Sequence, residues 1–423
     1  MTKDDKTDST GSTGAPFGAA PHERPVPRIS IEAFCEFPDT TAALQRAAAD
    51  RRLSKAHLGI RPGGTAEAVD FFSKNPTPNL LIVETRGQGA AVLAELEQLA
   101  NVCDESTKVV VVGRSNDVQL YRELIRRGVS EYLVGPVSPL QFIETISGLY
   151  VSPTSAPIGR VVVFTGARGG VGSSTIAHNV AWYIAESLKI NTAIVDLDLP
   201  FGTAGLNFNE DPGQGVADAL IAPERLDDVL LDRLLIKCGE HLSLFAAPAL
   251  LDRDYDVDAS AYESVIDQVR ASVPCVVVDM PHVWTAWSRQ TLCAADEIVI
   301  VATPDLASLR NAKNMIDVVK AKRANDVVPK LVINQVGVLK RPEIPVKEFA
   351  TALGQEPDLI IPFEPQLFGV AANNGQMLAE VQANARPSEG MRLLAEMVTG
   401  RTVSQPPKRS GLSLLPFLNK KAG

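Results

Sequence analysis

Apolar residues fall along the chain in two kinds of run. Short unbroken runs stand at Asn79-Leu-Leu-Ile-Val-Glu84 and Lys108-Val-Val-Val-Val-Gly113. Runs of that length, rich in β-branched residues, predict strands buried on both faces. Arg28–Phe34 alternates and predicts a further strand, and Glu131–Val134 another. Between them apolar residues recur every three or four positions, as at Val92, Leu93, Leu96 and Leu99. That spacing predicts helices over Thr41–Ala49, Ala90–Ala100, Val118–Arg127 and Ser138–Gly148. Strands alternating with helices imply parallel βαβ units. Residues 28–150 are therefore expected to form a small five-stranded doubly wound domain.

The same alternation returns on a larger scale. Strands are expected at Arg160–Thr165, Thr192–Asp196, Leu242–Ala246, Cys275–Asp279, Glu297–Ala302, Lys330–Asn334 and Leu359–Ile361. They predict one large α/β domain over residues 159–399. Val151-Ser-Pro-Thr-Ser-Ala-Pro-Ile158 carries two prolines among small polar residues and predicts a linker. Residues 1–27, rich in Thr, Ser, Gly, Pro and charge, predict a disordered tail. A flexible tail is expected over residues 400–423. The fold class is α/β, with two doubly wound parallel sheets.

Composition narrows the chemistry. The chain has 423 residues, 45% hydrophobic and 22% charged, with a formal charge of −9. That balance suits a globular protein and counts against wrapping nucleic acid, so no nucleic-acid partner is expected. The five cysteines are spread out with no CxxC pair, which argues against a disulfide framework or a zinc site. No apolar run approaches membrane-spanning length. A cytoplasmic location is the expectation.

The segment Arg160 to Thr175 carries the most chemistry. A predicted strand runs into Gly166-Ala-Arg-Gly-Gly-Val-Gly-Ser-Ser-Thr175, and helical spacing (Ile176, Val180, Ile184, Leu188) follows at once. Strand, glycine loop and helix N-terminus together make a phosphate cradle. The loop departs from GxxxxGK[ST] twice, with Ala167 in place of the first glycine and Ser173 in place of the lysine. Asp196, Asp198 and Asp279 stand at the ends of predicted strands, where open α/β sheets bind ligands.

Arg168-Gly-Gly-Val-Gly-Ser-Ser-Thr175 resembles the deviant P-loop of the MinD/ParA ATPases, which reads KGGxGK[ST]. The stretches GARGGVGSSTIAHN (166–179), DLDLPFGTAGLNF (196–208) and PFEPQLFGVAANNGQM (362–377) resemble the CpaE/TadZ family, localisation factors of Flp (Tad, type IVc) pilus assembly. The resemblance implies a receiver-like, flavodoxin-like first domain and a MinD/ParA-like P-loop domain after it. It implies ATP and Mg²⁺ as ligands. Gly169, Gly170, Val171 and Gly172 would cradle phosphates, with Ser173 and Thr175 beside them. Ser174 would ligate Mg²⁺ and Asp279 would hold it through water. Asp198, with Asp196 beside it, would position an attacking water as the catalytic pair. Asn334 would read adenine, and Pro362 would flank the base. Arg168 matches the signature lysine that crosses a dimer to the partner's nucleotide.

Ser173 removes a charge-assisted phosphate contact worth about 1.5–3 kcal/mol, so weak or absent hydrolysis is expected. In the first domain Glu84 stands where a receiver carries its phosphoacceptor Asp, and Gly135-Pro136 stands where it carries a Lys. Aspartyl-phosphate chemistry is not expected there. A cap or surface role for Glu84 is expected instead, in a protein-interaction module. At the far end, Leu412-Ser-Leu-Leu-Pro-Phe-Leu418 between basic residues is a candidate for peripheral inner-membrane contact, set against a partner peptide or an unstructured tail.

The resemblance thus implies an ATP-binding homodimer working with pilus secretion machinery, placed at a pole or at the inner-membrane face. The alternatives are an active ParA/MinD-type ATPase positioning cargo or DNA, and a response regulator with an ATPase-like output domain.

Overall fold

Two parallel sheets organise the computed structural model, which describes residues 25–104, 106–150, 158–211, 213–251 and 254–401. The first 24 residues, positions 151–157 of the expected linker and the whole Leu412–Leu418 segment lie outside the described residues.

The first sheet contains β1 (Ser30–Cys35), β2 (His57–Pro62), β3 (Leu80–Glu84), β4 (Lys108–Gly113) and β5 (Glu131–Val134). Their order is β2-β1-β3-β4-β5, all parallel, the flavodoxin-like arrangement. Strand β2 and the following helix Thr65–Phe72 carry no expectation from the sequence. The strand is an edge strand with no fully buried residue, and Gly59 interrupts it. An edge position needs no apolar run, so none marks it.

The second sheet contains β6 (Arg160–Gly166), β7 (Thr192–Asp196), β8 (Ile236–Lys237), β9 (Leu242–Phe245), β10 (Cys275–Met280), β11 (Glu297–Ala302), β12 (Lys330–Val336) and β13 (Leu359–Pro362). The order is β13-β12-β11-β6-β10-β7-β9-β8. Seven strands were expected; the eighth, β8, is a two-residue strand antiparallel to β9 at the sheet edge. Val161, Val163, Val276 and Val278 face one packed layer of helices, and Val162, Phe164, Val277 and Val299 face the other. Helices on both faces explain why these strands read as continuous apolar runs.

The two sheets meet through buried ion pairs. Arg51 reaches Asp296 at 3.0 Å and Asp326 at 2.9 Å. Arg52 forks onto Asp50 at 2.7 and 2.8 Å and touches Asp326 at 3.2 Å. Asp296 also accepts from Arg270 and from the Val161 amide. This clasp lies where β6 and β11 begin. Beside it opens a cleft of about 1010 Å³, lined by Arg28, Lys55 and Arg289 among others. The glycine loop lies where β6 ends, so the docked first sheet leaves that face open.

Candidate functional site

The site is built on β6 and its two neighbours, β10 and β11. Sequence order reverses there, so the loops after these strands diverge and leave a crevice. Strand β6 ends at Gly166, and the helix Ser173–Glu186 begins with Gly172 as its N-cap. Gly170 (φ 79°) and Gly172 (φ 85°) take left-handed backbone that side chains rarely adopt. At Gly172 a Cβ would also stand 2.7 Å from Asn334 Nδ2.

Three side-chain amides hold the loop's carbonyls from behind. Asn311 donates to Ala167 O at 2.8 Å, Gln335 to Gly170 O at 3.0 Å and Asn334 to Val171 O at 2.8 Å. The backbone N–H groups of residues 168–172 donate to no protein acceptor among the described residues. The first turn of the helix leaves its own N–H groups free as well. The result is a concave row of donors at a positive helix end, which suits a polyphosphate. Asn334 is buried and committed to the loop, at the register shift of β12. Pro362 ends β13, half-buried. Arg168 projects at the rim and pairs with Asp305 at 3.3 Å.

Across the crevice stand the carboxylates. Asp196 and Asp279 are register partners on β7 and β10, so their side chains share a face. Both are buried, while Asp198 is half-buried and accepts from the Phe201 amide at 3.2 Å. Burial, with the neighbouring charge of Asp279, pushes the Asp196 carboxyl up to about 7. Burial raises Asp198 as well. Asp279 Oδ1 has no hydrogen-bond partner, and neither does the buried Ser173 Oγ. Orphaned buried acceptors mark a place where something else is meant to bind. A magnesium ion with a nucleotide fits this set: a hard cation takes carboxylate and hydroxyl oxygens. Ser174, in the first helical turn, and Asp279 are the residues that would hold it.

The structure brings Arg168, Gly169–Thr175, Asp196, Asp198, Asp279 and Asn334 around one crevice. It adds residues with no sequence expectation: Asn311, Gln335 and His178. His178 is fully buried, with Nε2 3.1 Å from Asp279 Oδ2. Its position one turn beyond Ser174, on the same helix face, was a signal the sequence offered.

Comparisons with known proteins agree with this architecture. No family model matches the chain. A solved CpaE pilus assembly protein from Caulobacter crescentus CB15 is 52% identical over 98% of that chain and 30% of this one, with a TM-score of 0.30. The identity, rather than the superposition, decides the matter. The chain belongs to the CpaE family of pilus assembly proteins. The CpaE likeness covers the N-terminal part. Across the larger sheet the likeness is to the MinD/ParA ATPases. A ParA-family ATPase from Chlorobium tepidum TLS is 26% identical, covering 56% of this chain and 98% of that one at a TM-score of 0.51. The septum site-determining protein MinD of Synechocystis is 23% identical over 58% of this chain and 91% of its own.

Proposed function

We propose that the chain is an ATP-binding localisation and assembly factor for Flp (Tad, type IVc) pilus biogenesis. It works in the cytoplasm as a nucleotide-linked homodimer with slow or absent hydrolysis, and it places pilus secretion machinery at a pole or at the inner-membrane face. The observation that carries the reading is the loop of unpaired backbone amides together with the orphaned Asp279 oxygen, with Ser173 where a lysine would stand. In this reading bound ATP with Mg²⁺ supplies the charge that joins two copies. Residues 169–172 hold phosphate through backbone N–H groups, Ser174 and Asp279 orient the ion, and Asp198 positions water. Asp196 supports Asp198 by accepting its backbone N–H at 3.1 Å.

Dimerisation is supported by what surrounds the crevice. Phe201, Leu206, Leu251, Trp284 and Leu306 are exposed on the segments that follow β7, β9, β10 and β11. Apolar residues gathered on one face mark an association surface. Arg168 stands on the same face, where its guanidinium would reach a partner's phosphates. Among the described residues no helix is long and apolar enough to cross a membrane.

Calorimetric titration of the purified chain with ATP and Mg²⁺, with sedimentation in parallel, tests the reading. Micromolar binding and a shift from monomer to dimer are expected. Ser173→Lys should tighten binding about ten- to a hundredfold, the worth of a charge-assisted contact. No heat of binding in either protein would overturn the reading.

A further inference from the structure

We propose that His178, Asp196 and Asp279 form a binding site for one divalent transition-metal ion, filled without nucleotide. The imidazole and carboxylate donor atoms of the three residues all lie within 4.8 Å of one another, and all three residues are buried. Two of these atoms have no hydrogen-bond partner: Nε2 of His178 and Oδ1 of Asp279. The close approach of Nε2 to Asp279 Oδ2, at 3.1 Å, lacks hydrogen-bond geometry. Polar atoms so deeply enclosed are paired or bind a cation.

The donor set selects the class of ion. One imidazole with two carboxylates suits Mn²⁺, Fe²⁺, Co²⁺ or Zn²⁺, whereas Mg²⁺ prefers oxygen and water. Three protein donors leave a position open. An outer layer is already in place. Asn207 lies 2.8 Å from His178 Nδ1, and an amide turned to present its oxygen would accept Nδ1–H and free Nε2 for the ion. Asp196 is oriented by the amides of Asp198 and Ala204, at 3.1 and 3.2 Å.

Charge gives the site a purpose. Among the described residues no lysine or arginine pairs with Asp196 or Asp279, and the loop above them has serine in place of its lysine. A doubly charged ion would balance both carboxylates and so remove the negative charge that would otherwise repel a phosphate at the floor of the crevice. It shares Asp279 with the ion that Ser174 would hold, but it differs from that ion in taking His178 and in needing no phosphate. It therefore stands whether or not the chain binds ATP.

The test is a titration of the chelator-stripped, nucleotide-free full chain with Co²⁺, followed by visible absorption. One ion per chain is expected, with the d–d bands of nitrogen and oxygen ligation, undisturbed by millimolar Mg²⁺. His178→Gln should lose the bands. Asn207→Ala, which leaves every ligand in place, should weaken binding about ten- to a hundredfold. An absent spectrum, displacement by Mg²⁺, or equal binding in His178→Gln would overturn the proposal. Should His178→Gln fail to fold, unchanged affinity in Asn207→Ala would do the same.

Discussion

Glu84 and Asp279 hold equivalent stations in the two sheets. Each lies at the C-terminal end of a buried parallel strand, where ligands of open α/β sheets bind. Glu84 is saturated. It accepts from the Glu36 and Phe37 amides at 3.0 Å each, from Thr40 Oγ1 at 2.6 Å and from Arg114 at 3.4 Å. It caps the helix Pro38–Ala48, whose N-cap Phe37 has no capping side chain of its own. Asp279 keeps one oxygen without a partner. Position on the sheet makes a carboxylate available; the protein's own donors decide whether it remains so. In the first sheet the carboxylate has become structure, and in the second it waits for a ligand.

Breaking the sealed station should have the largest effect. Glu84→Ala strands two part-buried amides and the buried Thr40 hydroxyl, while Arg114 keeps Asp39 at 3.0 Å as its partner. Leaving buried donors without their acceptor costs about 1–3 kcal/mol. Urea denaturation should record that loss in the first sheet's transition. A loss below about 1 kcal/mol would show that water replaces the carboxylate and that the station was never sealed.

How far the sequence revealed these stations differs between them. The strands themselves were legible, because burial on both faces leaves unbroken apolar runs such as Val161–Phe164 and Val276–Val278. The glycine loop and the three aspartates were legible because their chemistry needs particular residue types at particular spacings. Glu84 was visible as a strand end, and a cap was among its expected roles. Its burial was not visible, because the Glu36 and Phe37 amides come from a turn 47 and 48 residues away. His178 was hidden in a helix buried on most of its faces, where Ile176, Ala177, Val180 and Ala181 set the apolar pattern. Asn311 and Gln335 lie far along the chain and act on backbone carbonyls, a role no side-chain pattern announces.

The pH dependence of stability sharpens the contrast next. The folded protein raises Asp196 to about 7, while an unfolded aspartate titrates near 4. Between these values the folded state holds a proton that the unfolded state has lost. Stability therefore falls as pH rises from about 4 to about 7 and levels off above. Asp196→Asn should remove that slope and gain most over wild type at high pH. Denaturation midpoints of both proteins across this window would check it, and parallel curves would contradict it.

The smallest expected effect belongs to the open station. Asp279→Asn keeps the shape of the side chain and removes a buried charge that is only partly compensated. Its stability should lie within about 1 kcal/mol of wild type, on the stable side, because an unpaired acceptor contributes little to the fold. Mg²⁺-dependent nucleotide binding should nevertheless drop about tenfold, since the negative charge offered to the ion is lost. The pair of measurements matters more than either alone. A sealed carboxylate costs stability when removed and leaves binding untouched, and an open one does the reverse. A large stability loss in Asp279→Asn would mean that His178 and Asp279 already satisfy each other. The two stations would then differ only in which donor closes them.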